Sequence, residues 1–165
     1  MGTVLLTVAY GKEEPAVTEA LDVLMPHDPQ SSAERPPFGG LALIRTSLDQ
    51  DVAAGLIAGA PTSFIRSASP IDTIVQSDIR AIREGVSSLL SRTAAGTAAV
   101  RCARRGRAVR SSLEVEREVG SLLGRAGYTI DLANPSTVVR IDVIGERTAI
   151  SIRPPDKFFK KGCQG

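Results

Sequence analysis

The stretch YTIDLANPSTVVRIDVIGERTAISI, residues 128–152, decides the fold of the second half of this chain. Tyr128 to Leu132 reads as a strand, and the following Ala-Asn-Pro-Ser turns the chain. Val139, Ile141 and Val143 then alternate with Val138, Arg140 and Asp142, the period of two that marks a strand with distinct faces. Gly145-Glu146 fits a two-residue hairpin loop of the Gly-X kind, after which Thr148 to Ile152 pairs back.

Upstream, Ser111 and Glu114 form an S-x-x-E capping box at the start of a helix. Val115, Val119, Leu122 and Leu123 give that helix one apolar stripe, and Gly124 and Gly127 terminate it. Before it, Ala98 to Ala103 reads as a strand carrying Arg101, and Arg-Arg-Gly-Arg at 104–107 reads as a loop. An earlier helix runs to about Ser91, with Ser77 as its expected N-cap and Ile79, Ile82, Val86 and Leu89 on one face. Between these elements, Thr-Ala-Ala-Gly-Thr-Ala at 93–98 is expected to loosen the chain.

The first half follows its own order. Val4 to Ala9 is an apolar strand. Glu13, Glu14 and Pro15 suit the first turn of a helix whose buried face is Val17, Ala20, Leu21 and Leu24, ended by Pro26. HDPQSSAERPP, residues 27–37, is a polar loop leading to a short strand near Phe38. Leu41 to Thr46 is a further strand, and Ser47 with Gln50 reads as a capping box. The next helix buries Val52, Ala53, Leu56 and Ile57 and stops at Gly59 and Pro61, and Ser63 to Ala68 is the last strand. Strand, helix, short strand, strand, helix, strand is the split βαβ, ferredoxin-like pattern, placed at residues 1–70. The chain is therefore expected to be α+β, with two units and a basic tail at 154–165 whose last residues are mobile. In that tail Phe158 and Phe159, beside Lys160 and Lys161, fit either an anchor on the domain or a grip on RNA.

Charge separates the halves. Residues 1–75 carry four Lys/Arg against nine Asp/Glu, and residues 76–165 carry sixteen against nine, although the net charge of the chain is only +2. A basic back half favours a polyanionic partner. Arg101, Arg104, Arg105, Arg107 and Arg110 crowd into ten positions just before the Ser111 cap. A helix N-terminus offers unpaired N–H groups and partial positive charge, and arginine adds a planar fork for phosphate oxygens. The segment from Arg101 to Ser112 is thus a candidate phosphate cradle. The competing reading is a solvated surface whose arginines pair with Glu114, Glu116 and Glu118.

Other chemistry finds less support. His27 is the only histidine and sits in a loop-like context, and Cys102 alternates within a strand as core filler. Cys102 and Cys163 form no C-x-x-C arrangement, no residue spacing suggests a metal site, and neither a P-loop nor a G-x-G-x-x-G occurs. No cofactor is expected. With 4% aromatics and no Trp, base stacking is poorly served. The apolar run at the start is too short for a membrane span or signal peptide, so a cytoplasmic location without membrane attachment is expected.

Residues 128–152 resemble the C-terminal signature of THUMP domains, in which a strand leads to a D-L-x-N-P turn, an apolar strand, a G-(D/E)-R hairpin and a last strand. The matching residues are Asp131, Leu132, Asn134, Pro135, Val139, Ile141, Val143, Gly145, Glu146 and Arg147; the likeness covers roughly 76–152, and the domain it implies is placed at 76–153. Such domains bind RNA in tRNA-modifying proteins, commonly at the acceptor region, and usually follow a ferredoxin-like domain. The resemblance implies a non-catalytic tRNA-binding adaptor, similar to the stand-alone protein that presents tRNA to a separate acetyltransferase forming N4-acetylcytidine. Its implied RNA-facing residues are Arg101, Arg104, Arg105, Arg107, Arg110, Ser111 and Ser112, with Arg140 and Arg147 behind them. Three alternatives stay open: the RNA-binding part of another tRNA-modification enzyme (methylation, thiolation or pseudouridylation), a protein scaffold without specific RNA binding, and an enzyme using His27 or Cys102.

Overall fold

The computed structural model of the chain describes residues 1–91 and 94–161. Arg92, Thr93 and residues 162–165 lie outside the described residues, and so do the loosening expected at Thr93 and the mobility expected of the last four residues. The chain divides into two compact units, Met1–Ile71 with Asp156–Gly165, and Asp72–Pro155. The architecture is α+β, with two five-stranded sheets.

The first unit contains β1 (Gly2–Val8), α1 (Glu13–Leu24), β2 (Ser32–Glu34), β3 (Leu41–Thr46), α2 (Gln50–Gly59) and β4 (Ile65–Ile71). β3 lies antiparallel between β1 and β2, and β4 lies antiparallel on the other side of β1. This is the split βαβ order of a ferredoxin-like fold. Val4, Leu6 and Val8 of β1 share a core with Ala16, Ala20 and Leu24 of α1 and Ala53, Ala54 and Ile57 of α2. Small alanines on both helices let the helices settle close to the sheet.

Three local expectations change. The short strand is Ser32–Glu34 rather than near Phe38, because its partner is the Leu43–Arg45 segment of β3. The cap of α2 is Asp49, whose carboxylate accepts from Asp51 N–H at 3.0 Å and Val52 N–H at 3.3 Å, in place of Ser47. Val52, expected in the core, is 53% exposed, and Ala54 is buried instead. Val52 lies in the first turn of α2, and the buried face is made by Ala53, Ala54 and Ile57.

Asp28 staples the polar loop to β3. Its Oδ2 accepts from Ser47 N–H at 2.8 Å and Thr46 Oγ1 at 3.0 Å, and its Oδ1 from Gln30 N–H at 3.1 Å. The Ser47 N–H bond above all holds this carboxyl well below the usual carboxylate range. The stability it contributes is therefore present above about 3.8, the ordinary value, and is lost as pH falls further. Asp28→Ala is expected to melt at a lower temperature at neutral pH. The gap from the parent should close as acid protonates Asp28, which thermal scans over a pH series would check.

The second unit contains β5 (Thr73–Gln76), α3 (Ile79–Leu90), β6 (Thr97–Arg105), α4 (Ser112–Arg125), β7 (Thr129–Ile130), β8 (Thr137–Ile144) and β9 (Arg147–Arg153). Their order in the sheet is β5-β9-β8-β6-β7, with β6 parallel to β7 and β8 and the other pairs antiparallel. α3 and α4 cover one face: Ile82, Val86, Val115, Val119 and Leu123 pack on Val100, Val139, Ile141, Val143, Ile150 and Ile152. β5 is an element that the sequence pattern did not reveal. It pairs with β9, and its arrival displaces the expected cap: Ser77 Oγ is buried against Thr148 Oγ1 at 2.8 Å, and Asp78 caps α3 through Ala81 N–H at 2.8 Å. Gly145, at φ +61°, supplies the left-handed residue of the β8–β9 hairpin.

After the second unit the chain returns to the first. β10 (Phe159–Lys160) pairs antiparallel with Ser67 and Ala68 of β4. Of the two readings offered for the phenylalanines of the basic segment 154–165, the anchor on the domain is the one that forms: Phe158 is buried and Phe159 packs on the first core. Lys161 Nζ donates to the carbonyls of Ile57 and Ala60 at 3.1 and 2.5 Å and to Thr62 Oγ1 at 2.6 Å, capping the end of α2.

Candidate nucleic-acid interface

The register of β6 against β8 sorts the arginine cluster. β6 continues as strand through Arg105, beyond the Arg104 at which a loop was expected. Successive side chains therefore point to opposite faces as far as Arg105. Val100 and Cys102 pack on the side of the helices. Arg101, Ala103 and Arg105 point to the other face, where Arg140 and Asp142 of β8 lie beside them. The arginines expected to form one strip thus fall into two groups.

The first group gathers where β6 leads into α4. Arg104, on the helix side at the end of β6, donates from Nη1 to the carbonyls of Gly106 at 3.0 Å and Val109 at 3.4 Å. It folds the loop as well as carrying charge. Gly106 has φ +92°, a conformation only glycine adopts without strain, and Val109 plugs the loop into the core. Ser111 Oγ accepts from Glu114 N–H at 3.1 Å, so the expected cap forms. Ser112 is the first helical residue. Arg107 and Arg110 are exposed. Arg110 reaches Glu114 only at 4.0 Å with its own side chain 89% exposed, a contact worth little in water.

Beside this helix start lies a cavity of about 320 Å³ lined by Arg110, Ser111, Leu113, Glu114, Arg117 and Glu118. Glu118 pairs with Arg83 at 3.2 Å, while Arg107 and Arg117 enter no ion pair among the described residues. Arg117 is a positive group that the sequence reading missed. Its signal was its position five residues after Ser112, in the second turn of the helix that the Ser111 cap begins.

The second group lies on the face of the sheet away from α3 and α4. Arg101 donates to the Leu132 carbonyl at 2.7 Å. That turn is shaped by Asp131, whose Oδ1 accepts from Ala133 N–H at 3.1 Å and Asn134 N–H at 3.0 Å. Arg140 Nε donates to Asp142 Oδ2 at 3.0 Å, and Arg105 Nη1 lies 3.8 Å from Asp142 Oδ1. Arg147 is exposed at the start of β9, opposite Ile144.

The remaining candidates are placed elsewhere. Cys102 N–H donates to Glu116 at 3.2 Å, and burial, with the charges of Glu116 and Asp142, pushes its thiol up to about 12. It is a protonated thiol at neutral pH, not a poised nucleophile. His27 is exposed at the turn after α1. Among the described residues no group of three His, Cys, Asp or Glu could hold a metal ion, and no helix is long and apolar enough to cross a membrane.

Residues 76–153 match the THUMP domain family. The second unit carries a THUMP domain. No curated protein sequence matches the chain. Among solved structures, the chain resembles PH1313 from Pyrococcus horikoshii Ot3 with a TM-score of 0.70 at 15% identity, over 97% of this chain and 55% of that one. TrmN from Thermus thermophilus aligns with a TM-score of 0.67 at 26% identity, over 92% of this chain and 46% of that one. A 4-thiouridine synthetase, solved with RNA and bound ATP, aligns with a TM-score of 0.57 at 19% identity, over 92% and 41%. This chain therefore spans about half the length of the structures it resembles.

Within the THUMP domain, the helix start depends on Ser111. Ser111→Ala is expected to cost about 1 kcal/mol of stability. Urea unfolding of the intact chain would measure it, and restoration by Ser111→Asp would identify the cap as the cause.

Proposed function

We propose that this chain binds tRNA, at its acceptor region, and presents it to a separate modifying enzyme without itself catalysing the reaction. The observation that carries the reading is a THUMP domain whose capped α4 start follows a loop carrying Arg104, Arg107 and Arg110, with Arg110 and Arg117 lining the cavity beside it, and of these Arg107 and Arg117 are committed to no carboxylate among the described residues. These groups suit phosphate oxygens and would position the RNA rather than read its bases. The proposed partner is an acetyltransferase that forms N4-acetylcytidine.

The second reading makes the chain the RNA-binding part of another tRNA-modifying enzyme, such as a methyltransferase or a thiouridine synthetase. Its support is the likeness to TrmN and to a 4-thiouridine synthetase, both of which are about twice as long.

Gel shifts with tRNA at rising salt test the shared part: affinity should fall steeply and log-linearly with salt. Failure to bind tRNA at low salt would overturn both readings. Pull-down from native extract, scored for RNA and for acetyltransferase, methyltransferase or thiolation activity, separates them. Acetyl transfer to tRNA by the chain alone, with acetyl-CoA, would overturn the adaptor role.

A further inference from the structure

Tyr10, in the turn between β1 and α1 of the first unit, is 84% exposed. The chain has two tyrosines, four phenylalanines and no tryptophan, and Tyr10 is the one ring among them that the fold leaves in solvent. Its ring nevertheless has a seat. A first side-chain carbon at Gly39 would fall 2.7 Å from Cδ2 of Tyr10 and closer still to Cε2, so only glycine leaves the ring in this position. The backbone does not ask for glycine at 39. Its φ is not positive, whereas that of Gly40 is +80°. The two loops that meet here are fixed: Lys12 N–H donates to the Ala9 carbonyl at 2.9 Å, Val8 N–H to the Gly40 carbonyl at 2.9 Å and Gly40 N–H to Glu13 Oε1 at 3.2 Å.

An aromatic ring stabilises a fold by being buried, and this one is not. Held against Gly39 and open elsewhere, it presents a flat apolar surface at little conformational cost. The same two loops carry cations. Lys12 Nζ lies 5.7 Å from the centroid of the Phe64 ring and enters no ion pair among the described residues. Arg35 meets Glu14 at 3.4 Å with the two side chains 49% and 83% exposed, a contact that water largely screens. A ring with cations beside it suits an unpaired nucleotide, whose base stacks while its phosphate meets the positive charge.

We infer that Tyr10 stacks on an unpaired base of bound tRNA, with Lys12 and Arg35 meeting the adjacent phosphates. This inference rests on the tRNA-binding reading and places an RNA contact in the first unit. Every base has a π-face, so the stack adds affinity without selecting a sequence. Gly39 acts through Tyr10, by leaving the ring its seat.

The decisive variants are Tyr10→Ala and Tyr10→Phe in the full chain, measured by tRNA affinity. Tyr10→Ala should bind about fivefold more weakly and Tyr10→Phe within about twofold of the parent, because the ring and not the hydroxyl makes the stack. The slope of affinity against salt should be the same in both, since stacking releases no counterions. Gly39→Ala, which keeps Tyr10 but takes its seat, should weaken binding in the same direction. With no tryptophan in the chain, the emission lost in Tyr10→Phe is that of Tyr10 itself, and saturating tRNA should quench it. Parent-like affinity in folded Tyr10→Ala overturns the inference, and is the result expected if the ring serves a protein partner instead. An equal loss in Tyr10→Phe overturns it too, because the hydroxyl would then be the contact. If Tyr10→Ala does not fold, Tyr10 emission that bound tRNA leaves unchanged overturns it. A parent chain that binds tRNA while Tyr10→Ala matches it sinks this inference alone, whereas a parent that binds no tRNA sinks the tRNA reading with it.

Discussion

Changing Arg107 and Arg110 together to alanine is expected to weaken tRNA binding by roughly tenfold or more at moderate salt, and to lower the salt dependence by about two units of slope. Both side chains are exposed at the mouth of α4, where the first-turn N–H groups and the helix dipole already favour an anion. Among the described residues Arg107 has no competing carboxylate, and Arg110 has only the loose contact with Glu114 at 4.0 Å. Little internal attraction is lost on substitution, so the fold should be unaffected and the loss should appear in binding. Titrations of tRNA at several salt concentrations would measure both quantities. Arg104 is a poorer choice for this purpose. Its bonds to the carbonyls of Gly106 and Val109 mean that Arg104→Ala would reshape the loop as well as remove a charge. Unchanged affinity and slope in folded Arg107→Ala/Arg110→Ala would remove the α4 start from the RNA surface.

The largest effect on stability is expected from ending the chain at Pro155. The first unit would lose β10 from the edge of β4, the buried Phe158, the packing of Phe159 and the cap that Lys161 places on α2. Truncating one well-buried phenylalanine to alanine typically costs about 3–5 kcal/mol. The β pairing and the orphaned α2 carbonyls add to that, so the loss should take up much of the stability of a domain this size. Hydrogen exchange is the sharper measurement. Amides of β4 and β1 should exchange much faster in the shortened chain, while those of β8 and β9, in the core of the other unit, should change less. Equal protection of β4 in both chains would show that the return strand contributes little. Lys161→Ala alone should produce a smaller change of the same kind, centred on the end of α2.

Much of the architecture was legible from local pattern. The face of α3, the span Leu41–Thr46, the Ser111 cap and the Gly145-Glu146 loop all follow from spacing or turn chemistry within a few residues. Caps were less certain because neighbouring residues compete. Ser47 and Ser77 each stand one or two residues before the aspartates that cap the helices, Asp49 and Asp78. In the case of Ser77, its hydroxyl was drawn into the sheet by Thr148. β5 and β10 escaped notice because two to four residues carry no measurable period, and each exists only through a partner far along the chain.

The sequence by itself determined that arginines concentrate just before a capped helix, that two α/β units alternate along the chain, and that positive charge lies in the second. Only the tertiary structure decided which arginines act together. Alternation along β6 shows that neighbouring side chains part company, but the pairing with β8 and the packing of α3 and α4 decide which face each receives. That placement set Arg104, Arg107 and Arg110 at the helix mouth and gave Arg101, Arg105 and Arg140 to the opposite face around Asp142. The physical reason is distance in the chain: Asp142 stands 37 residues after Arg105, and no local pattern brings a carboxylate to a guanidinium across that separation.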